Sequence, residues 1–501
     1  MRRILLLIRN KNSISYDALL AHRIVPRQVR RFRNSYSRVN NQSRQIPMAP
    51  RAKRVKVDEG AKLPDLPYPF GPGPEVRVDV PEDVVIPTFL EMTGPARESL
   101  RQATRAWAWD AFAYVLHVPT YPLATLMKHM LFYSSLGDEF IPKHREKQLD
   151  RFLVAVDLHY HRPIRNPAED RVNIKSTAGG GEGLRVGYHN VVHACDVLQS
   201  TYAYIHFSDL TTHQPCPRFR YEMLFAAMVH DLGHPGVDNN FLVKTKSQAA
   251  ETCPEAPLEH YHSRFGRIID CQFDGFDFTT LIGDGAKLNH RYVKWDALVP
   301  MMVMDTDMSR HADILRRAGV EDASKWLPPR EDAQWSNLVE KAKEWSTYCE
   351  KERIENKKLS TFLGRFQVYR ETSHGGLLDR VRTLQTLVLK AADLGHLARP
   401  LRVHKEWVEV LFEEFWALGD REAAAGLDVN PLHDRLNASG VKLAESQVGF
   451  FTKVGLPLFE ALVEVLPSAR CQLDTVRTNL EYWETRLAEE TVKEAKAGGG
   501  C

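Results

Sequence analysis

Long apolar runs, cysteine and net charge are all scarce in this chain of 501 residues. No apolar run approaches the about 18 residues that a membrane helix needs, and the patch at residues 5–7 is too short for a secretory signal. Seven cysteines, an odd number without paired spacing, argue against a disulfide framework. The net charge is only +3. These absences predict a protein of a reducing compartment, with the cytoplasm as the first expectation.

The basic charge is concentrated at the start of the chain. Residues 1–60 contain 15 Lys and Arg residues against three acidic residues, so we expect residues 1–61 to form a disordered basic arm. Residues 50–58 resemble a nuclear localisation signal that an import receptor would bind. A mitochondrial transit peptide and a solvated tail remain open. Nucleic acid is not favoured as a partner, because Pro26 interrupts any basic helix near residues 27–33.

The rest of the chain divides by composition. Residues 62–96 are rich in Pro and Gly, which predicts an extended linker. Helical periodicity then dominates, and it predicts an all-α, compact multi-helix domain over residues 97–490 with a flexible tail at 491–501. A polar insert at residues 166–187 lacks the flanking features of a phosphate-binding loop. A charged insert at 321–358 is predicted to lie on the surface, and a homodimer contact through it remains open.

Two short segments carry pairs of histidines four residues apart. The first pairs His189 with His193, and the second pairs His230 with His234 beside Asp231. On a helix this spacing places both side chains on one face. Imidazole and carboxylate together suit zinc or another divalent metal.

A histidine pair on a helix surface or in a satisfied core would have the same spacing. The apolar run at residues 224–229, however, leads directly into His230 and Asp231. The pair is therefore expected to end a buried helix, where imidazole and carboxylate need a partner. The Pro235-Gly236 turn that follows is expected to stop the helix. A metal ion is the partner that the pattern favours.

These segments resemble the signature of the class I cyclic-nucleotide phosphodiesterases, which belong to the metal-dependent phosphohydrolases with a His, His-Asp and Asp ligand set. Further matching motifs follow in the family's order: residues 258–262, 305–309, 392–396, 413–415, 430–435 and 446–450. The resemblance implies an all-α catalytic domain that hydrolyses a 3′,5′-cyclic nucleotide to the 5′-nucleoside monophosphate. Another phosphohydrolase of the superfamily, such as a nucleotidase, and a catalytically silent cyclic-nucleotide sensor are the alternatives.

The resemblance also implies two metals and a hydroxide that bridges them to attack phosphorus. The tight site, which the family fills with zinc, has four matching ligands: His193, His230, Asp231 and Asp393. The second site, for magnesium or manganese, would share Asp231 and hold waters through three residues: His234, Glu259 and Thr306. His189 matches the general acid, and Glu414 matches the carboxylate that orients it.

Six matching positions are expected to contact the substrate: Tyr188, His396, Leu411, Phe415, Gln447 and Phe450. Gln447 matches the glutamine that hydrogen-bonds to the purine edge. The chain departs from the family's usual residues at five positions: Gly233, His260, Tyr261, His396 and His404. Cyclic AMP is the first expectation, with cyclic GMP or both nucleotides open, because the amide of Gln447 can present either end to the base.

Overall fold

A computed structural model describes residues 65–67, 69–72, 79–133, 143–161, 186–207, 217–263, 295–319 and 377–498. The chain divides after residue 61 into two units, Met1–Ala61 and Lys62–Cys501. The whole first unit lies outside the described residues, and so do the import segment at 50–58, the insert at 321–358 and nearly all of the insert at 166–187. The predictions for those segments stay predictions.

The described residues form helices and contain no strand, which confirms the predicted all-α class. In chain order the α-helices are α1 (Gly94–Ala103), α2 (Ala111–His117), α3 (Pro122–Tyr133), α4 (Glu146–His159), α5 (Val191–Phe207), α6 (Pro217–Val229), α7 (Asn239–Lys244), α8 (Gln248–Thr252), α9 (residues 257–263), α10 (Trp295–Met304), α11 (His311–Arg317), α12 (Leu377–Asp393), α13 (Leu401–Ala424), α14 (Gly440–Phe450), α15 (Leu456–Val465) and α16 (Arg470–Gly498). A π-helical turn, Phe451–Gly455, joins α14 to α15. None of the described helices is long and apolar enough to cross a membrane.

Helix α5 lies at the centre of the described core. Nearly all of its residues are buried, and it packs against α2, α3, α6 and α12. Helices α5 and α6 are buried over nearly their whole described length, so other helices cover them on all sides. The candidate metal ligands lie at the amino end of α5, just beyond the carboxyl end of α6 and at the carboxyl end of α12. The most deeply buried helices therefore position the site.

Helices α3 and α4 follow the apolar stripes that the sequence predicts. Leu123 and Met127 of α3 are fully buried, as are Phe152 and Val156 of α4. The buried carboxylate of Asp157 accepts hydrogen bonds from the backbone N–H groups of Leu123 and of the next residue, at 2.7 and 3.0 Å. A carboxylate there satisfies the unpaired N–H groups that begin α3.

The Pro-rich segment at 62–96 is anchored to the helical body where it is described. Leu66 and Phe70 are buried in a cluster with residues of α7 and α13. Ile86 is fully buried, its N–H donates to Asp150 at 3.1 Å, and its carbonyl accepts from Lys128 at 3.1 Å. The segment has no core of its own, but it contributes apolar side chains to the core of its neighbours. The domain boundary itself stays a prediction.

The carboxyl-terminal tail is helical where it is described, since α16 continues to Gly498. The flexibility expected for residues 491–501 stays a prediction. Residues 491–497 include Val, Lys, Glu and Ala and no Gly or Pro, so their helix propensity extends the helix. Lys493 also pairs with Glu490 one turn earlier, at 2.9 Å.

Candidate active site

Four side chains that could hold a metal meet where α5, α6 and α12 converge: His193, His230, Asp231 and Asp393. One ligand atom from each lies within 4.8 Å of the others. Nε2 of His193 is 3.2 Å from Nε2 of His230 and 3.1 Å from Oδ1 of Asp393. Nε2 of His230 is 3.1 Å from Oδ2 of Asp231. Two imidazoles and two carboxylates thus point at one small volume.

Local structure around His230 differs from the sequence-based expectation. Helix α6 ends at Val229, so His230 and Asp231 lie in the turn just beyond the helix and not on it. The turn uses Gly233 and Gly236 at φ values of +72° and +70°, where a side chain would be strained. His230 remains fully buried because α6 is buried up to its end.

The histidine pairs are therefore not brought together by helical spacing. His189 precedes α5, whereas His193 lies in its first turn. His234 lies beyond α6 and accepts a 3.0 Å hydrogen bond at Nδ1 from the N–H of Gly236. The rings of His189 and His234 instead stack, with centroids 4.0 Å apart. The two segments face each other across the site.

The donor set fits a divalent metal. Nδ1 of His230 lies 2.9 Å from the carbonyl of Ala227, which directs Nε2 toward the cluster, as in metal-binding histidines. Burial lowers the pKa of His230, but the charges of Asp231 and Asp393 outweigh burial and hold it well above its ordinary value. Burial also opposes ionisation of Asp231, but the two histidines hold its pKa well below the ordinary range. Two ionised, partly buried carboxylates attract positive charge, which a bound metal would supply in place of the imidazole proton.

A second group lies beside the cluster and links His189 to Glu414 of α13. Nδ1 of His189 hydrogen-bonds to Oε1 of Glu414. The other carboxylate oxygen accepts the backbone N–H groups of Tyr188 and His189, at 2.7 and 3.1 Å. Burial lowers the pKa of His189, but the Glu414 charge and hydrogen bond outweigh burial and raise it to about 9. His189 is therefore protonated at neutral pH and directs Nε2 away from Glu414.

This pairing requires the chain to approach α13 closely at Gly187. A Cβ atom there would lie 2.7 Å from the carbonyl oxygen of Val410 and 3.4 Å from the N of Glu414. Only glycine permits that approach, so Gly187 sets the contact between residues 186–190 and α13. The sequence holds no signal for this role, because Gly187 is the last residue of a polar insert that contains several other glycines.

Comparison with known proteins matches this arrangement to a family. The family model described as 3′5′-cyclic nucleotide phosphodiesterase matches residues 188–476, which include the metal cluster and the His189–Glu414 pair. The chain belongs to this family. The predicted family is thereby confirmed.

Individual relatives are phosphodiesterases as well. The 3′,5′-cyclic-AMP phosphodiesterase 4C of Rattus norvegicus is 28% identical over 419 residues, which are 80% of this chain and 62% of that protein. The protein of the same name from Mus musculus is 30% identical over 335 residues, 64% of this chain and 40% of the relative. The probable 3′,5′-cyclic-AMP phosphodiesterase pde-4 of Caenorhabditis elegans is 28% identical over 305 residues, 60% and 38% of the two chains. The alignments thus span between 38% and 62% of these relatives.

The three residues predicted to hold metal waters in this phosphodiesterase-family chain lie on three different elements. His234 is neutral, since burial holds its pKa well below the ordinary value. Its Nδ1 accepts a hydrogen bond from the N–H of Gly236, so the ring proton is on Nε2. Glu259 of α9 accepts from Asn239 at 2.9 Å. Burial, together with the charge of Asp307, raises the pKa of Glu259 to about 7. The hydroxyl of Thr306, just beyond α10, donates to the carbonyl of Val303 in that helix, at 2.7 Å. Their roles toward a metal stay predictions.

Lys390 is a site neighbour that the sequence analysis missed. It is fully buried on α12, one turn before Asp393. Its ammonium donates to the carbonyls of Asp305, Thr306 and Asp307, at 3.3, 2.9 and 3.2 Å. All three N–H groups of the ammonium thus hold the loop that contains Thr306 against the helix that contains Asp393. A lone lysine in an apolar helix carries no signal of such a partner.

The predicted substrate-binding residues come from several parts of the fold. Leu411 and Phe415 lie on α13 on either side of Glu414, and Phe450 ends α14 just before the π-helical turn. The ring of Tyr188 lies 4.6 Å from that of His193 and 5.3 Å from that of Trp407. Gln447 is buried, and its Oε1 has no hydrogen-bond partner among the described residues. Contact of these side chains with a nucleotide stays a prediction.

Proposed function

We propose that the chain hydrolyses 3′,5′-cyclic nucleotides to 5′-nucleoside monophosphates, with cyclic AMP as the preferred substrate. The observation that carries the proposal is the four-ligand cluster beside a histidine that Glu414 holds protonated. The relatives named as cyclic-AMP phosphodiesterases support the choice of nucleotide.

The metals belong to the proposal. His193, His230, Asp231 and Asp393 would hold zinc, because two imidazoles and two carboxylates form a zinc-type ligand set. Magnesium or manganese would occupy a second site that shares Asp231 and is otherwise filled mainly by waters, as magnesium prefers. Three residues would hold those waters: His234, Glu259 and Thr306. When bound, such ions neutralise the phosphoryl oxygens and lower the pKa of water.

The proton for the leaving 3′ oxygen would come from His189. Its Nδ1 is engaged by Glu414, so Nε2 is the nitrogen that can donate into the site. With a pKa of about 9 the ring carries its proton at neutral pH. Because Glu414 also accepts the backbone N–H of His189, the carboxylate fixes both the charge and the orientation of the acid.

The base would be held by the remaining predicted residues. Gln447 would hydrogen-bond to the purine edge, and Leu411 and Phe450 would cover the two faces of the ring. Phe415 and Tyr188 would line the same pocket. The unpaired Oε1 of Gln447 is consistent with this role, since a buried amide without a partner is costly unless a ligand supplies one.

The substrate assay separates the proposal from its rivals. The purified full chain is incubated with magnesium and cyclic AMP, cyclic GMP or 5′-AMP, and the products are separated by chromatography. We expect 5′-AMP from cyclic AMP and no phosphate from 5′-AMP. Phosphate release from 5′-AMP would identify a nucleotidase, and binding of cyclic AMP without turnover would identify a silent sensor.

Location and partners are proposed from sequence alone. An import receptor would bind residues 50–58 and direct the chain from the cytoplasm to the nucleus, with mitochondrial import as the alternative. Imaging of the fluorescently tagged full chain, with Lys53 and Arg54 replaced by alanine, decides between them. Loss of nuclear signal supports import, whereas unchanged mitochondrial signal contradicts it. A homodimer contact through residues 321–358 remains a separate proposal.

A further inference from the structure

His396 lies beside the site, in the short turn Gly395–Ala398 that follows α12. Its ring centroid is 6.0 Å from that of Tyr188, which itself contacts the ring of His193. His396 is buried, and burial together with His404 and His193 holds its pKa well below the ordinary value. The imidazole is therefore neutral, with one nitrogen that donates and one that accepts. Which nitrogen carries the proton decides what His396 can recognise.

A hydrogen bond from Trp483 of α16 decides the tautomer of the neighbouring histidine. Nε1 of Trp483 lies 2.8 Å from Nε2 of His404. An indole N–H can only donate, so Nε2 of His404 carries no proton. Burial lowers the pKa of His404 to about 3, which keeps its ring neutral. Its one proton is therefore on Nδ1.

The proton on His404 then determines the tautomer of His396. Nδ1 of His404 lies 3.2 Å from Nδ1 of His396 and 3.2 Å from the backbone carbonyl of His396. The two ring planes differ by only 7°. The N–H at Nδ1 of His404 can donate to either of these two atoms of His396. In both cases, a proton on Nδ1 of His396 would face the proton on Nδ1 of His404, with the two nitrogens only 3.2 Å apart. That arrangement is repulsive, so the proton of His396 is on Nε2.

We propose that Trp483 acts through His404 as a positioning residue, which makes His396 a permanent N–H donor to the base of the cyclic nucleotide. The proposal rests on the proposed function. A donor that cannot become an acceptor suits N7, an acceptor that adenine and guanine share and that a pyrimidine lacks. It cannot pair with the 6-amino group of adenine. His396 thus favours purines without separating them, and the choice between cyclic AMP and cyclic GMP is left to Gln447.

Nitrogen NMR of the full chain, labelled with ¹⁵N-histidine, tests the tautomers directly. The His396→Asn and His404→Asn variants identify the two sets of signals by their loss. We expect a hydrogen on Nε2 of His396 and on Nδ1 of His404 in the wild type. A hydrogen on Nδ1 of His396 in the wild type overturns the proposal, and this measurement needs no substrate.

The role of Trp483 is tested by Trp483→Phe, which removes the N–H and keeps an aromatic ring. Trp109→Phe is the matched control, because Nε1 of Trp109 donates to the carbonyl of Ser99 at 3.1 Å in another part of the core. We expect mixed tautomers of both histidines in Trp483→Phe and unchanged signals in Trp109→Phe. Unchanged tautomers in Trp483→Phe would show that the indole does not fix them.

The effect on the substrate is read from kcat/KM for cyclic AMP and for its 7-deaza analogue, in which C–H replaces N7. Loss of one hydrogen bond is expected to lower kcat/KM about two- to twelvefold in the wild type and in Trp109→Phe. In Trp483→Phe the ratio of kcat/KM for cyclic AMP to that for the 7-deaza analogue should fall, by about twofold for an equal mixture of tautomers, because only part of the protein then presents the N–H donor. Equal ratios in all three proteins contradict the proposal. If no cyclic nucleotide is hydrolysed, the proposed function fails, whereas the NMR result still decides the tautomers.

Discussion

Replacement of His189 by asparagine isolates the proton-donating step. Nδ1 of His189 is held by Glu414, and its Nε2 is the donor that the account assigns to the leaving oxygen. Asparagine keeps a polar group there but removes the titratable proton. A positioned general acid contributes about 10²–10⁴ in rate, or about 3–5 kcal/mol. We expect kcat for cyclic AMP to fall by that factor, with the metal content unchanged, because His189 is not among the four ligands.

A second substrate distinguishes a lost acid from a damaged site. A phosphodiester with a 4-nitrophenolate leaving group needs no protonation, so His189→Asn should reduce its hydrolysis by less than about tenfold. His159→Asn is the control, since it removes a buried imidazole of α4 that hydrogen-bonds to Ala155 of its own helix. Rates are measured by absorbance and metals by mass spectrometry. Equal losses on both substrates, or loss of metal, would refute the assignment of His189 as the acid.

Three further predictions follow from the same contacts. Glu414→Gln removes the charge that raises the pKa of His189 to about 9, so this pKa should fall. As pH rises, kcat should then decline at a lower pH than in the wild type. An unchanged alkaline limb of the kcat profile contradicts this. Lys390→Met frees the loop that contains Thr306 and should weaken the second metal site while the tight metal is retained. Half-maximal binding of Mn²⁺, followed by electron paramagnetic resonance, should need at least about tenfold more ion. Unchanged Mn²⁺ binding would show that Lys390 does not support that site. Deletion of residues 1–61 should leave Tm unchanged in calorimetry. Deletion of residues 1–90 also removes buried Leu66, Phe70 and Ile86, whose burial contributes about 1.5–3 kcal/mol each, and should lower Tm. Equal Tm values for the two deletions would show that residues 62–90 are not part of the fold.

Helical periodicity and the family resemblance were enough to predict the helical class and to select four residues that the structure brings together, but not how those residues meet. The spacing of four residues between His230 and His234 suggested one helical face, yet α6 ends at Val229 and the turn beyond it positions both. Glycines with positive φ at 233 and 236 define that turn. Because φ depends on the packing around a turn, sequence spacing alone does not reveal it.

Partners that are distant in sequence were also beyond sequence reasoning. Lys390 and the carbonyls at 305–307 are more than 80 positions apart, and Trp483 lies 79 positions after His404. None of these contacts follows from composition or periodicity, because each joins helices that only the folded core brings together. The apolar side chains of Leu66 and Phe70 likewise read as part of a linker until the core that receives them is known.

The central claim is that the four-ligand cluster is a metal site on which hydrolysis of a cyclic nucleotide depends. It is tested most directly by titrating metal back into chelator-stripped protein while metal content and cyclic AMP turnover are measured on the same samples. The account predicts that turnover rises with bound metal in the wild type. Asp393→Ala, which removes a ligand atom 3.1 Å from His193, should bind less metal, unfold at lower temperature and stay inactive. Full metal content with near-normal turnover in Asp393→Ala would contradict the account.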